Sequence, residues 1–401
     1  MRGPDTGPLS VFADGVFMTV KQILLLTSDA GFGHRRAAEA IEAALLEVYG
    51  EQCQATIINP LQDPSIPDLI RYFETGYDDV VTDDPTLYQI AYTATDAPMV
   101  ARFIQNMTTV VLNNTLTELL AVHLPDVVVV THPAYTQAAI RGAENLSRRI
   151  FVDVVVTDLI NVHSLWFNPR ADRIFVPTGN VYRQAIENGL PKERVSLTGL
   201  PVHPDFARET RDQKTIRRAL GWDPDMTTAL IVGSTRTPRT AAIAHLLDRS
   251  GLPLQIVVVS GGDRETEEEL RATEWRGTVH VYGLVKNMPE LMHAADFIIC
   301  KAGGLIVSEA LACGLPLILH EALPGQEVGN VRYVVESGAG AWSPGPIGVL
   351  TTAYAWLAKG NAELKKRRAA ARRIGKPRAA YDIADWLIRQ IEEADGPPDG
   401  G

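Results

Sequence analysis

Two stretches of this 401-residue chain gather residue types that move protons or hold phosphates. The first is Ser28-Asp29-Ala30-Gly31-Phe32-Gly33-His34-Arg35-Arg36, which runs straight into an alanine-rich segment. A histidine at the mouth of a glycine-bearing turn can face a cleft, and its ordinary pKa near 6.5 lets it accept a proton at neutral pH. His34 is therefore the first candidate base. The alternative is a histidine at a helix start that only satisfies backbone, where the dipole disfavours its charged form. Gly31 and Gly33 lack a third glycine at the dinucleotide-fingerprint spacing. Further on, residues 154–178 read VVVTDLINVHSLWFNPRADRIFVPT and place Asp158, His163, Trp166 and Asp172 in the connection after a buried strand, where functional side chains often sit. His132, in THPAYTQ, is a further candidate to line the same region.

The second stretch is 283–340, with a strand ending at Cys300, the turn Lys301-Ala302-Gly303-Gly304, and a helix bearing Ser308 and Glu309. Glycines at such a turn let a phosphate approach the backbone, and the helix start offers free N–H groups and a positive dipole end. Glu309, about one turn into that helix, suits the two ribose hydroxyls of a nucleotide. Gln326 and Glu327 together supply donors and acceptors for vicinal sugar hydroxyls. Their alternative reading is as acidic and polar residues starting a helix.

These groups need rigid elements to carry them. Short aliphatic runs at 22–28, 54–59, 126–131, 150–157 and 172–176, and again at 228–232, 255–260, 278–282, 296–300 and 316–319, alternate with amphipathic segments. Examples of the latter are 35–49 and 305–314. That is the α/β pattern of parallel strands buried by helices on both faces, doubly wound in each half. The expected division is an extension at 1–17 ahead of Met18, a first domain at 18–203, a second at 204–375, and a C-terminal helix and tail at 376–401 that packs back on the first domain. GLPVHPDFARE, within 199–209, marks the break. Two such domains leave a cleft at the carboxyl ends of their strands, where ligands of open α/β sheets bind. A formal charge of −10 excludes a general nucleic-acid-binding surface. Cys53, Cys300 and Cys313, far apart and odd in number, suggest neither a disulfide framework nor a zinc site. The start does not read as a signal peptide, and no apolar run reaches the length of a membrane span. The expected location is cytoplasmic.

The run Gly303 to Ala310, followed after the next strand by Pro324-Gly325-Gln326-Glu327 and Asn330, resembles the donor half of the GT-B glycosyltransferases. More narrowly, it resembles the family of monogalactosyldiacylglycerol synthases, processive diacylglycerol glucosyltransferases and the lipid II N-acetylglucosaminyltransferase. The loop ending in Gly33-His34, the His132-Pro turn and the Thr157-Asp158 to Trp166 segment resemble the same family, over most of 22–340. The resemblance implies two Rossmann-like domains and a UDP-hexose donor, with no cofactor and no metal. It implies Glu309 on the ribose, Gly303, Gly304 and Leu305 at the phosphates, the uracil against Leu284, Val285 and Lys286, and Gln326 and Glu327 on the hexose. Ser260 and Asn330 join the donor side. Where the family carries a glycine-rich loop, this chain has IVGSTRTPRT, with Gly233, Ser234 and Arg236. Either hydroxyls and an arginine hold the diphosphate there, or the loop has lost that contact. Gly31, Phe32, Gly33, His132 and Trp166 fall on the acceptor side, with Trp166 read as structural; Asp158 and His163 would share or orient the base work of His34. The implied reaction is inverting transfer of galactose or glucose from a UDP-sugar to diacylglycerol, by a peripheral protein on the inner face of the cell membrane. Arg35, Arg36, Arg148, Arg149 and the basic run 365–373 are candidates to meet an anionic lipid surface. Alternatives are a polyprenyl-linked or carotenoid acceptor, a UDP-sugar 2-epimerase, and a sugar-nucleotide-binding protein without catalysis.

Overall fold

The structure, a computed structural model, describes residues 9–11, 17–29, 33–64, 66, 98–235, 239–325 and 327–395. A short antiparallel pair, β1 (Leu9–Val11) and β2 (Phe17–Thr19), comes first and joins the stretch expected as an extension, 1–17, to the start of the first domain. The chain then divides into two compact units. One is Met1–Pro204 with Arg378–Gly401, and the other is Asp205–Pro377.

In the first unit β3 (Lys21–Leu26), β4 (Cys53–Ile58), β5 (Val127–Val130), β6 (Phe151–Val155), β7 (Arg173–Val176) and β8 (Val195–Leu197) form a wholly parallel sheet. Its order is β4-β3-β5-β6-β7-β8. In the second, β9 (Thr227–Val232), β10 (Leu254–Val259), β11 (Val279–Tyr282), β12 (Phe297–Lys301), β13 (Leu317–Glu321) and β14 (Gly340–Trp342) are ordered β11-β10-β9-β12-β13-β14, again parallel throughout. A sheet covered on both faces needs strands apolar along their whole length. Val127–Val130 and Leu254–Val259 accordingly have every residue buried. The short edge strands β8 and β14 carry too few aliphatic residues to announce themselves in the sequence. Both orders change direction at one place, between β3 and β5 and between β9 and β12, which makes a crevice beyond the strand ends for a ligand.

The C-terminal helix Ala379–Asp395 belongs to the first unit and lies on the helix Gly33–Tyr49. Ile383, Ala384, Leu387, Ile388 and Ile391 bury its apolar stripe. Polar bonds set its register: Tyr49 Oη donates to Asp385 at 2.8 Å, Tyr381 Oη to Glu47 at 3.0 Å, and Lys21 pairs with Glu392 at 3.0 Å. Beneath it, Gln390 Nε2 reaches Asp153 Oδ1 at 3.4 Å, and the Arg173 guanidinium lies 3.5 Å over the Trp386 ring.

Candidate active site

The cluster around His34 forms where β3, β5 and β6 end. His34 opens the helix Gly33–Tyr49 directly after β3. Its Nδ1 lies 2.9 Å from the Thr131 carbonyl oxygen and 2.6 Å from Thr157 Oγ1. A carbonyl oxygen only accepts, so Nδ1 carries the proton and Nε2 is the basic nitrogen of the neutral ring. Both partners sit at strand ends, Thr131 after β5 and Thr157 after β6, and Thr157 Oγ1 also reaches the Thr131 carbonyl at 3.5 Å. The His132 ring meets His34 edge-on at 4.7 Å between centroids and Tyr135 at 5.0 Å. Burial, and then the neighbouring His34, hold His132 well below its usual pKa, and its Nδ1 has no partner. A neutral, buried ring therefore walls one side of His34.

Trp166, fully buried, has its ring centroid 6.1 Å from that of His34, and its Nε1 donates to Asp158 Oδ2 at 2.7 Å. Asp158 thus fixes the indole that flanks His34. His163 caps the short turn Ser164–Trp166, its Nδ1 accepting from Leu165 N at 3.2 Å. Asp172 accepts from Val152 N at 2.8 Å and pairs with Arg149, a bond between loop and strand. On the far side of the loop Asn59 Nδ2 donates to Asp29 Oδ2 at 2.9 Å, and its Oδ1 accepts from Tyr135 Oη at 3.2 Å. Gly31 and Phe32 lie outside the described residues. Gly33 has open space around the position a Cβ would take.

In the second unit the glycine-bearing turns gather at the reversal between β9 and β12. Gly233 ends β9 against Thr240, whose Oγ1 would stand 2.5 Å from an added Cβ. Gly261, at φ +68°, presses on it from the end of β10, where an added Cβ would lie 2.2 Å from Gly233 O. Ser260 is buried beside them with Oγ unpartnered. Ser234 follows Gly233, half-buried. Beyond β12 the turn Ala302-Gly303 leads into the helix Gly304–Ala312, and Gly303 is its N-cap with no side chain over the first N–H groups. Leu305 and Glu309 are half-buried on this helix. Asn330 Nδ2 donates to Ala302 O at 2.9 Å and leaves its Oδ1 buried without a partner. Val285 is half-buried and Leu284 exposed at the turn after β11. Arg236 and Gln326 lie outside the described residues.

Glu327, expected to read the hexose, is the N-cap of the helix Val328–Glu336. It is buried at 6% exposure, with Oε1 3.0 Å from Lys301 Nζ and Oε2 accepting from Leu323 N at 2.7 Å. It holds the Leu323–Val328 loop to the end of β12. Glu321, which sequence reasoning passed over, ends β13 beside it; burial raises its pKa, against Arg239 and Lys301, and its Oε2 is buried without a partner. Thr131 and Thr157 were also missed. A threonine closing an aliphatic strand looks like any β-branched strand residue, and only the fold shows it against an imidazole. The basic candidates for a lipid surface are largely engaged within the protein. Arg35 pairs with Asp29 and Glu39 at 3.3 Å each, Arg36 with Glu39 at 3.0 Å, and Arg148 with Asp126 at 2.5 Å. In the run 365–373, Arg367 pairs with Glu363 at 2.7 Å, Arg368 donates to Ala295 O at 3.2 Å and Arg373 to Ser337 O at 2.8 Å. Lys365 and Lys366 stay exposed.

Two doubly wound parallel sheets, one with a glycine cradle at a helix start, define a glycosyltransferase of the GT-B fold. Solved structures with this architecture include Acinetobacter baumannii MurG, with a TM-score of 0.57 and 17% identity, covering 92% of this chain and 99% of that one. Another is UDP-GlcNAc 2-epimerase from Neisseria meningitidis bound to UDP-GlcNAc, at 0.59 and 15%, covering 92% and 100%. At these identities the likeness is one of fold. In sequence, residues 34–202 match monogalactosyldiacylglycerol (MGDG) synthase, and residues 229–340 match the glycosyltransferase family 28 C-terminal domain. The chain is 31% identical to monogalactosyldiacylglycerol synthase 1, chloroplastic, of Arabidopsis thaliana over 388 residues, which are 94% of this chain and 72% of that protein. With the chloroplastic enzyme of Spinacia oleracea it shares 31% over 383 residues, 92% and 73% of the two. The chain belongs to the monogalactosyldiacylglycerol synthase family.

Proposed function

We propose that the protein transfers a hexose, galactose by the names of its relatives, from a UDP-sugar to the free hydroxyl of diacylglycerol, giving a β-glycosyldiacylglycerol. The observation that carries this reading is the fixed tautomer of His34, whose Nδ1 bond to the Thr131 carbonyl leaves Nε2 to take a proton. His34 removes the acceptor's hydroxyl proton as the oxygen attacks the anomeric carbon. The bond from that carbon to the β-phosphate oxygen breaks, and UDP leaves with the electron pair. One displacement inverts the centre. The helix start at Gly304 meets the charge developing on the diphosphate, which is the electrostatic stabilisation such a step needs, without a metal or cofactor. Glu309 holds the ribose; Ser234, Arg236 and Ser260 serve the diphosphate and Gln326 the hexose. No helix among the described residues is long and apolar enough to cross a membrane. We place the protein peripherally at a cytoplasmic membrane face, where diacylglycerol is presented.

The test incubates each radiolabelled UDP-hexose with diacylglycerol vesicles and analyses the lipid product and its anomeric configuration. A labelled β-glycosyl lipid supports the proposal. Label on a polyprenyl lipid instead would change the acceptor. Conversion of the UDP-sugar without any lipid would point to an isomerase.

A further inference from the structure

Beside the glycine cradle, Glu321 has a carboxylate oxygen that is buried without a partner. Strand pairing sets Glu321 against Lys301, and Ala302 N donates to Glu321 O at 2.8 Å, so the residue is fixed beside the turn Ala302-Gly303-Gly304. Its Oε2 is shielded from water and no hydrogen-bond donor reaches it. Leaving a buried acceptor unpaired costs stability, and such a cost is met when a ligand supplies the donor. Glu327, by contrast, already has one oxygen on Lys301 and the other on Leu323 N. Its carboxylate is occupied in holding the loop.

We propose that Glu321 is the residue that reads a hydroxyl of the donor hexose, accepting its hydrogen bond at Oε2, while Glu327 positions the loop and Lys301. The inference rests on the reading of the second unit as a UDP-hexose site. A phosphate oxygen is not a partner for Glu321, because like charges repel; a neutral hydroxyl is. Burial raises the pKa of Glu321, against Arg239 and Lys301 and with a smaller push from Glu327, and a carboxyl oxygen offers acceptor positions in either protonation state.

Calorimetry on the full chain tests it, with UDP, UDP-galactose and UDP-glucose titrated into wild type, Glu321→Ala and the isosteric Glu321→Gln. The Kd for UDP should stay within about twofold, while the Kd for the preferred UDP-hexose should rise about 10- to 100-fold in Glu321→Ala, the loss of one charge-assisted hydrogen bond. UDP binding by the same variant also reports that the unit is folded, and Glu321→Gln keeps the test open if the alanine variant does not fold. An unchanged ratio of the two Kd values overturns the proposal. So does equal weakening of UDP and UDP-hexose, which would put Glu321 on the ribose or diphosphate side. If wild type binds neither UDP nor any UDP-hexose, the donor-site reading fails and this proposal with it.

Discussion

At the scale of single residues the most consequential contact is one backbone carbonyl. Thr131 O accepts from His34 Nδ1 and thereby decides which ring nitrogen is basic. A side chain acting in the transition state lowers turnover when removed, by about 10²- to 10⁴-fold for a general base. His34→Ala should show that fall in kcat with UDP affinity unchanged by calorimetry; near-normal turnover would move the base to Asp158 or His163. Gly261 is a second residue whose identity the geometry dictates. At φ +68°, with Gly233 O 2.2 Å from the position of its absent Cβ, it admits no side chain. Gly261→Ala should lower stability by about 2 kcal/mol or more, through backbone strain and overpacking, and weaken UDP binding as the ends of β9 and β10 part. A wild-type melting temperature with intact UDP binding would contradict this.

At the scale of elements, the C-terminal helix Ala379–Asp395 is held to the first sheet partly by a buried carboxyl. Burial, then Asp172, raises Asp153 from its ordinary 3.8 to about 8, against Gln390 and Arg173. The folded protein therefore keeps a proton on Asp153 that the unfolded chain gives up above about pH 4. The stability this group contributes is full below that pH and is lost as pH rises through about 8. Asp153 Oδ2 and Gln390 Oε1 are both buried without a partner. Asp153→Asn keeps a donor and removes the titration. Its stability relative to wild type should be flat near pH 4 and improve by on the order of 2 kcal/mol by pH 8 in denaturant melts. A difference independent of pH would mean that Asp153 is ionised in the folded protein.

At the scale of the whole molecule, the chain carries a net charge of −10 and must nonetheless meet a lipid acceptor if the proposed function holds. Arginines already paired to carboxylates or backbone carbonyls have less charge to offer a membrane than the bare sequence suggests. Lys365 and Lys366 remain exposed in the basic run, together with Arg372 and Arg373. Each basic residue near an anionic surface is worth about 1 kcal/mol. Lys365→Glu with Lys366→Glu should then reduce co-sedimentation with anionic vesicles at low salt and leave it unaltered at high salt, where screening removes the attraction. Equal sedimentation of variant and wild type at both salts would leave apolar insertion as the route.

The strand-and-helix alternation was legible from residues alone, because a parallel sheet buried on both faces demands long aliphatic runs. Ten of the twelve strands of the two large sheets follow from runs such as VVVV at Val127–Val130 and LQIVVV at Leu254–Val259. The edge strands Val195–Leu197 and Gly340–Trp342 did not show, since three residues of mixed type carry no periodicity. The glycines at 303 and 304 and the histidine at 34 were likewise visible, because a tight strand-to-helix turn and a titratable ring at its mouth are properties of residue type and spacing. What those groups touch was decided only by tertiary structure. Thr131 and Thr157 reach His34 from strands 97 and 123 residues away in sequence. The partners of Glu327, Lys301 at 26 positions' distance on one oxygen and Leu323 N on the other, were likewise set only by the fold. Glu321 carried no signal, because an acidic residue closing a strand is ordinary until the fold buries one of its oxygens without a partner.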